Sequence, residues 1–363
     1  MANENGRKVR YAVVGAGWIS QEAFMPGIHS APNSVMTAIV TGNVEKSRKL
    51  ADFHGIEHVY TYDQYDEMLR AGVVDAVYIA LPNSMHADFA IRAARAGVHA
   101  LVEKPLAKTV AESEAMIAAA AENNTLLLTA YRLHNEPGAI EALEMIRRGE
   151  IGEPLYYTSV FSFQSAPVNH RLQAEHWGGP LQDIGVYCLN AVRHVFGSEP
   201  VEVVAMSEGP DSDARFAEID AHVGAMLRFP GGKMATFYCS FGAGEIDKYT
   251  VVGSKGVIEV EQAFRFQAPR RIRLIKGDTV TVREFPFVEE FGGQAAYFSN
   301  CIINGERPEA DGEEGLADMV TMVAIEEAIR TGKPQAINLP PRPRHPTPDM
   351  AHALPRNDRR LLL

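Results

Sequence analysis

The chain has 363 residues, enough for one large or two medium domains, each with its own core. Its formal charge of -11 is spread along the sequence with no basic cluster in the body, which argues against a nucleic-acid partner. No signal-peptide core and no bilayer-length apolar span is present, and three widely spaced cysteines give neither a disulfide framework nor a zinc spacing, so a soluble protein of the reducing cytoplasm is expected.

From Arg10 to Ala130, short β-branched runs alternate with helical stretches, the pattern of repeated βαβ units and a mostly parallel sheet. Strands are predicted at Arg10 to Val14, Val35 to Thr41, Ala76 to Leu81, Val98 to Glu103 and Leu126 to Ala130. A helix is predicted over Ser84 to Ala96, with Ala87, Ala90, Ile91 and Ala94 as its apolar stripe. The fold class is therefore α/β, an N-terminal doubly wound Rossmann domain over 1–130.

The first strand runs into Gly15-Ala16-Gly17-Trp18-Ile19-Ser20. Such a turn lets the backbone approach a pyrophosphate while the next helix offers its first amides, with Ser20 replacing the usual third glycine. At the end of the second strand, where an acid would bind ribose hydroxyls and repel a 2′-phosphate, no acid occurs between Glu22 and Glu45. The strand ends instead in Thr41-Gly42-Asn43, followed by Lys46 and Arg48, which favours NADP. The alternative is that Lys46, Arg48 and Lys49 are the solvated face of a helix. The strand predicted at Val98 to Glu103 runs into Glu103-Lys104-Pro105, which puts Lys104 at the carboxyl edge, where open α/β sheets bind ligands. Hydride removal from a carbinol carbon also requires loss of the hydroxyl proton, and an ammonium can lower that hydroxyl's pKa. A strand-end lysine by itself is more often a surface residue.

After about Gly149 longer alternating strands follow, including Leu155 to Phe163, Ala221 to Phe229, Lys233 to Phe241 and Val257 to Val260. Pro230-Gly231-Gly232 predicts an antiparallel hairpin, and helices are predicted at Leu181 to Phe196 and Leu316 to Thr331. This gives a C-terminal α+β domain over 131–338 with a large, mostly antiparallel open sheet. The remainder, 339–363, is a Pro/Arg-rich tail, either disordered or an arm packed on a partner subunit. Arg171, Glu175, His176 and Trp177 form a polar, aromatic segment able to hydrogen-bond and stack on a sugar; a structural role for His176 is equally open. No helix-spaced histidine pair of the zincin type occurs, and no catalytic metal is expected.

Leu81-Pro82-Asn83-Ser84-Met85-His86, Glu103-Lys104-Pro105, Tyr131-Arg132 and the run from Gly178 to Tyr187 together closely resemble the glucose-fructose oxidoreductase, inositol dehydrogenase and rhizopine-catabolism family. Tyr187, where many relatives have histidine, resembles the glucose-fructose oxidoreductase branch. The resemblance implies hydride transfer at a sugar carbon, with Lys104 polarising the substrate, Tyr187 as acid/base and Asp183 as third member. It also implies cofactor contacts from Leu81, Asn83, His86 and Arg132. The function expected is an NADP-dependent aldose oxidoreductase forming a lactone at C1, in one variant retaining its cofactor for reoxidation by a second sugar. The alternatives are a dissociable dehydrogenase of a pentose, polyol or dihydrodiol, and a non-catalytic NADP redox sensor. By analogy, a homodimer or homotetramer is expected.

Overall fold

The computed structural model describes residues 6–210 and 212–363; the first five residues of the polar start lie outside it. The chain divides into two compact units, one of 1–136, 288–316 and 350–363, the other of 137–287 and 317–349. Residues 288–316 and 350–363 thus belong to the first unit, whereas the sequence places them in the second domain and in a separate tail. They are held there by contacts distant in sequence, which composition cannot reveal. The Ser299 hydroxyl lies 2.9 Å from the Tyr11 hydroxyl, and Thr129 donates its backbone N–H to Ala310 at 2.8 Å.

In the first unit, β1 (Val9–Val14), β2 (Ser34–Val40), β3 (His58–Tyr60), β4 (Ala76–Ile79), β5 (His99–Val102) and β6 (Leu127–Thr129) form a parallel sheet in the order β3-β2-β1-β4-β5-β6. All four residues of β4 are buried, as are five of the six in β1. Burial on both faces explains why these strands read as continuous apolar runs without alternation. The strand order reverses at β1 and β4, and the crevice beyond their carboxyl ends is where such sheets bind ligands. The helix His86–Arg95 buries Ala87, Ala90 and Ala94 of the predicted stripe, with Ile91 half-buried.

The described strands of the second unit are β7 (Pro154–Gln164), β8 (Glu202–Glu208), β9 (His222–Arg228), β10 (Met234–Ser240), β11 (Gly242–Gly253), β12 (Val257–Glu261), β13 (Arg270–Lys276), β14 (Thr279–Phe285) and β15 (Gln335–Ala336). They pair in the order β14-β13-β12-β11-β7-β10-β9-β8-β15, antiparallel except for β7 with β10. β9 and β10 form the predicted hairpin, turning through Gly231 and Gly232 at φ +76° and +77°. One face of this sheet alternates into the core through Val223, Ala225, Leu227, Ala235 and Phe237, and the helix Val186–Phe196 packs against β7 and β10.

Candidate functional site

In the first unit β1 leads directly into the glycine turn. Gly15 has φ +90°, and a Cβ there would stand 2.5 Å from the Ala80 carbonyl and 2.9 Å from Leu81 Cδ2. Only glycine therefore allows the β1 and β4 loops to approach at the point where the strand order reverses. A Cβ on Gly17 would meet nothing within 4 Å, so the outer side of the turn is open. Trp18 is exposed and Ile19 half-buried beyond it. Ser20, in the third glycine's place, is buried and donates its hydroxyl to the Gly15 carbonyl at 2.6 Å, closing the turn on itself. Ser20–Phe24 is a π-helical turn leading into Met25–Ile28. The wider turn permits a contact that sequence reasoning missed. Gln21 Nε2 donates to the Ala16 carbonyl at 2.7 Å and to the Gly17 carbonyl at 3.3 Å. These features suit a pyrophosphate: an open side, glycine at the close approach, and a helix beginning immediately after.

At the end of β2, Thr41 is buried and its hydroxyl accepts from the Asn43 N–H at 2.9 Å. Gly42 and Asn43 are exposed, and Asn43 Oδ1 caps the helix Val44–His54 by accepting from the Lys46 N–H at 3.0 Å. Lys46 is partly covered, and burial lowers its ammonium pKa. Arg48 is exposed, and Lys49 pairs with Glu45 at 2.7 Å on the solvated side of the helix.

The ends of β4 and β5 are tied together by His86. This side chain is fully buried, with Nε2 2.9 Å from the Leu81 carbonyl and Nδ1 3.0 Å from the Pro105 carbonyl. Burial lowers its pKa against the opposing pull of those carbonyls. Asn83 is half-buried on the turn between. The Tyr78 hydroxyl donates to Glu103 at 2.7 Å, and Lys104 follows, half-buried, at the carboxyl edge. The loop ends at Thr109 and Glu112, whose reciprocal capping box opens the helix Val110–Glu122. Arg132 lies beyond β6, paired with Glu290 and over the Phe291 ring at 5.8 Å. His86 at 0% exposure and Arg132 at 3% present almost no surface to a ligand. The geometry makes them clamps behind the loops rather than groups on an open face.

In the second unit the predicted helix over Leu181 to Phe196 begins as a π-helical turn, Leu181–Gly185, before the α-helix Val186–Phe196. Segments of this kind recur at functional positions. Of the described residues from 181 to 196, only Asp183, Tyr187 and Ala191 are not buried, a stripe with a four-residue period. Tyr187 is therefore not a core residue: its ring borders Phe161 at 6.1 Å and Phe264 at 6.4 Å and retains an open side. Arg171 Nε lies 3.3 Å from Asp183 Oδ1, so two residues expected to touch substrate form an ion pair. Trp177 has a left-handed backbone at φ +53° and donates Nε1 to Glu326 at 2.8 Å, where Gln182 Nε2 also donates at 2.7 Å. Burial raises the Glu326 pKa while these two donors oppose it. Glu326, some 150 residues on in sequence, is a second participant that no motif indicated. His176 is half-buried, 3.6 Å from Glu175 and edge-on to His170. The segment thus offers a carboxylate, a phenol and a guanidinium along one stretch of chain, beside aromatic rings.

Residues 9–131 match the oxidoreductase family with an NAD-binding Rossmann fold, and 140–259 match the GFO/IDH/MocA C-terminal domain. The chain is 32% identical over 331 residues to the D-xylose 1-dehydrogenase [NADP(+)] of Haloarcula marismortui, covering 89% of this chain and 91% of that one. The crystal structure of the aldose-aldose oxidoreductase from Caulobacter crescentus complexed with glycerol superposes with a TM-score of 0.87 at 35% identity, covering 91% of this chain and all of that one. A 3-ketoreductase from Actinomadura kijaniata in complex with TDP-benzene and NADP is similar at a TM-score of 0.82 and 25% identity, covering 89% of this chain and 98% of that one. Two domain matches in their proper order, and relatives aligned across nine tenths of its length, make this chain a member of the GFO/IDH/MocA oxidoreductase family.

Proposed function

We propose that the chain is an NADP-dependent sugar oxidoreductase that oxidises C1 of an aldopyranose to a lactone. The observation that carries this reading is the half-buried stripe of Asp183 and Tyr187, on a helix otherwise closed to solvent apart from Ala191. The names of the xylose dehydrogenase and the aldose-aldose oxidoreductase support the choice of substrate class. The open Gly17 side and the acid-free end of β2, with Lys46 on the following turn, support NADP.

Bound NADP supplies a nicotinamide ring that accepts the hydride from C1. Lys104 donates to the C1 hydroxyl and lowers its pKa. Tyr187 takes the hydroxyl proton as the C1–H pair leaves as hydride and a C1 carbonyl forms. Asp183, held by Arg171, accepts a hydrogen bond from a sugar hydroxyl and orients the ring. Glu103, bonded by Tyr78, and the clamp His86 fix the loop from which Lys104 projects.

A second reading is a dissociable NADP-dependent dehydrogenase of a pentose, which the name of the D-xylose 1-dehydrogenase relative favours. The absorbance of reduced nicotinamide, followed as glucose or xylose is added to purified protein without nucleotide, separates the readings. A stoichiometric rise reversed by a second sugar means a retained cofactor and a sugar-to-sugar cycle. A rise only after NADP is supplied means the dissociable enzyme. No rise with either addition would point to a different substrate or to the redox sensor. The cytoplasm remains the proposed compartment, supported by three buried cysteines present as free thiols. Assembly is proposed to pair two copies through the outer face of the nine-stranded sheet, which carries a run of exposed apolar side chains.

A further inference from the structure

We infer that residues 350–363 are a brace for the nucleotide turn, acting through Gln21. The inference rests on the reading that the turn Gly15 to Ser20 holds the dinucleotide. The segment lacks regular structure from 351 onward, yet its backbone is held at successive points of the first unit. The His352 N–H donates to the Asn135 carbonyl at 2.9 Å, and the Leu354 carbonyl accepts from the Glu289 N–H at 2.9 Å. Arg359 Nε donates to the Phe53 carbonyl at 3.1 Å, and Arg360 Nε donates to the Glu22 carbonyl at 3.1 Å. The Leu363 N–H then donates to Gln21 Oε1 at 2.7 Å.

That last bond selects one orientation of the Gln21 amide. With Oε1 occupied by Leu363, Nε2 faces the turn and donates to the Ala16 carbonyl at 2.7 Å. Gln21 is 2% exposed, so water does not readily replace either partner. In a trans peptide the carbonyl and the following N–H point to opposite sides. Drawing the Ala16 carbonyl toward Gln21 therefore turns the Gly17 N–H the other way, and a pyrophosphate would be met by such outward N–H groups. The path runs from the arm to Gln21, to the Ala16–Gly17 peptide, to the anion. Each step is a contact between named atoms except the last. Gln21 is thus a positioning residue, since it acts on the nucleotide only through the backbone of the turn.

The test is a titration of Trp18 fluorescence with NADP+ in four proteins: the full chain, a chain stopped after Pro355, the full-length Gln21→Met variant, and the two changes combined. Stopping the chain at Pro355 should weaken NADP+ binding about two- to tenfold, the size of one net hydrogen bond. Gln21→Met should weaken it at least as much, and the combined protein should be no weaker than Gln21→Met alone. An unchanged dissociation constant for the shortened chain overturns the proposal, and so does an additive loss in the combined protein. If the shortened chain fails to fold by circular dichroism, the full-length Arg359→Ala/Arg360→Ala variant replaces it under the same criteria. Failure of the unmodified chain to bind NADP+ would instead count against the reading of the turn itself.

Discussion

Tyr187 is the proposed acid/base. Its neighbours on the helix, Val186 and Cys188, are buried, so the half-buried phenol is a local exception in an apolar environment. Removing only its oxygen, by Tyr187→Phe, should leave packing against Phe161 and Phe264 intact. If the phenol is the acid/base, this change should lower kcat by about 10²–10⁴-fold while NADP+ binding stays at its original strength. Steady-state rates with xylose or glucose, combined with nucleotide titration, check this; a kcat within a factor of a few of the original would remove Tyr187 from the mechanism. The four-residue interval between Asp183 and Tyr187 was legible in the sequence because helical periodicity is local. The Arg171–Asp183 pair and the two donors on Glu326 were not, since they join segments by tertiary contact. The sequence pattern also assigned His86 and Arg132 to the site without indicating that their side chains face inward. A histidine in a motif has the same letter whether its ring meets a ligand or two carbonyls.

Elements show the same division. The buried parallel strands β1, β2, β4, β5 and β6 were readable because burial on both faces demands unbroken apolar runs. β3 was not, having only three residues, all half-buried, His58, Val59 and Tyr60. The Pro/Arg composition of the last segment indicated that it could not form a core, but not which backbone groups it would meet. Its docking has a measurable electrostatic consequence at Glu289, which precedes the helix Glu290–Asn304 and accepts from the Asn357 N–H at 3.4 Å. Burial raises the Glu289 carboxyl to about 7, with the Asn357 N–H and the nearby Arg360 pulling the other way. In the unfolded chain a glutamate loses its proton near pH 4.3. Between these two values the folded form binds the extra proton, so stability falls as pH rises through that window. Glu289→Gln keeps the acceptor for Asn357 and removes the ionisation. The variant should match the original near pH 4.5 and exceed it by about 1–3 kcal/mol at pH 8, measured by urea unfolding at both values. Equal pH dependence in the two proteins would show that Glu289 does not hold its proton in the fold.

The proposed pairing of copies rests on the second unit's sheet. Across the strands β8, β9 and β10, Val204, Met226 and Thr236 lie in register, with Met206 one pleat further along β8. Met206 is 75% exposed, Met226 42% and Val282, on β14, 43%. These side chains project from the face opposite buried Val223, Ala225 and Leu227, so the core-facing and outer rows alternate within each strand. Exposed single methionines are ordinary, but the exposed apolar side chains gathered on β8, β9 and β10 are the feature on which the proposed pairing rests. A second copy of the same face is self-complementary under two-fold symmetry, and a stable pair of this kind buries on the order of 1,600 Å². A positive charge on β9 within that apolar group would be desolvated against the facing copy if the two pair there. Met226→Arg should therefore convert the assembly to monomers in size-exclusion chromatography with light scattering. The isolated chain should retain its secondary structure, because residue 226 already faces outward. An unchanged mass for the variant would mean that the subunits pair through another surface, or that the chain does not pair at all if the unmodified protein is also monomeric.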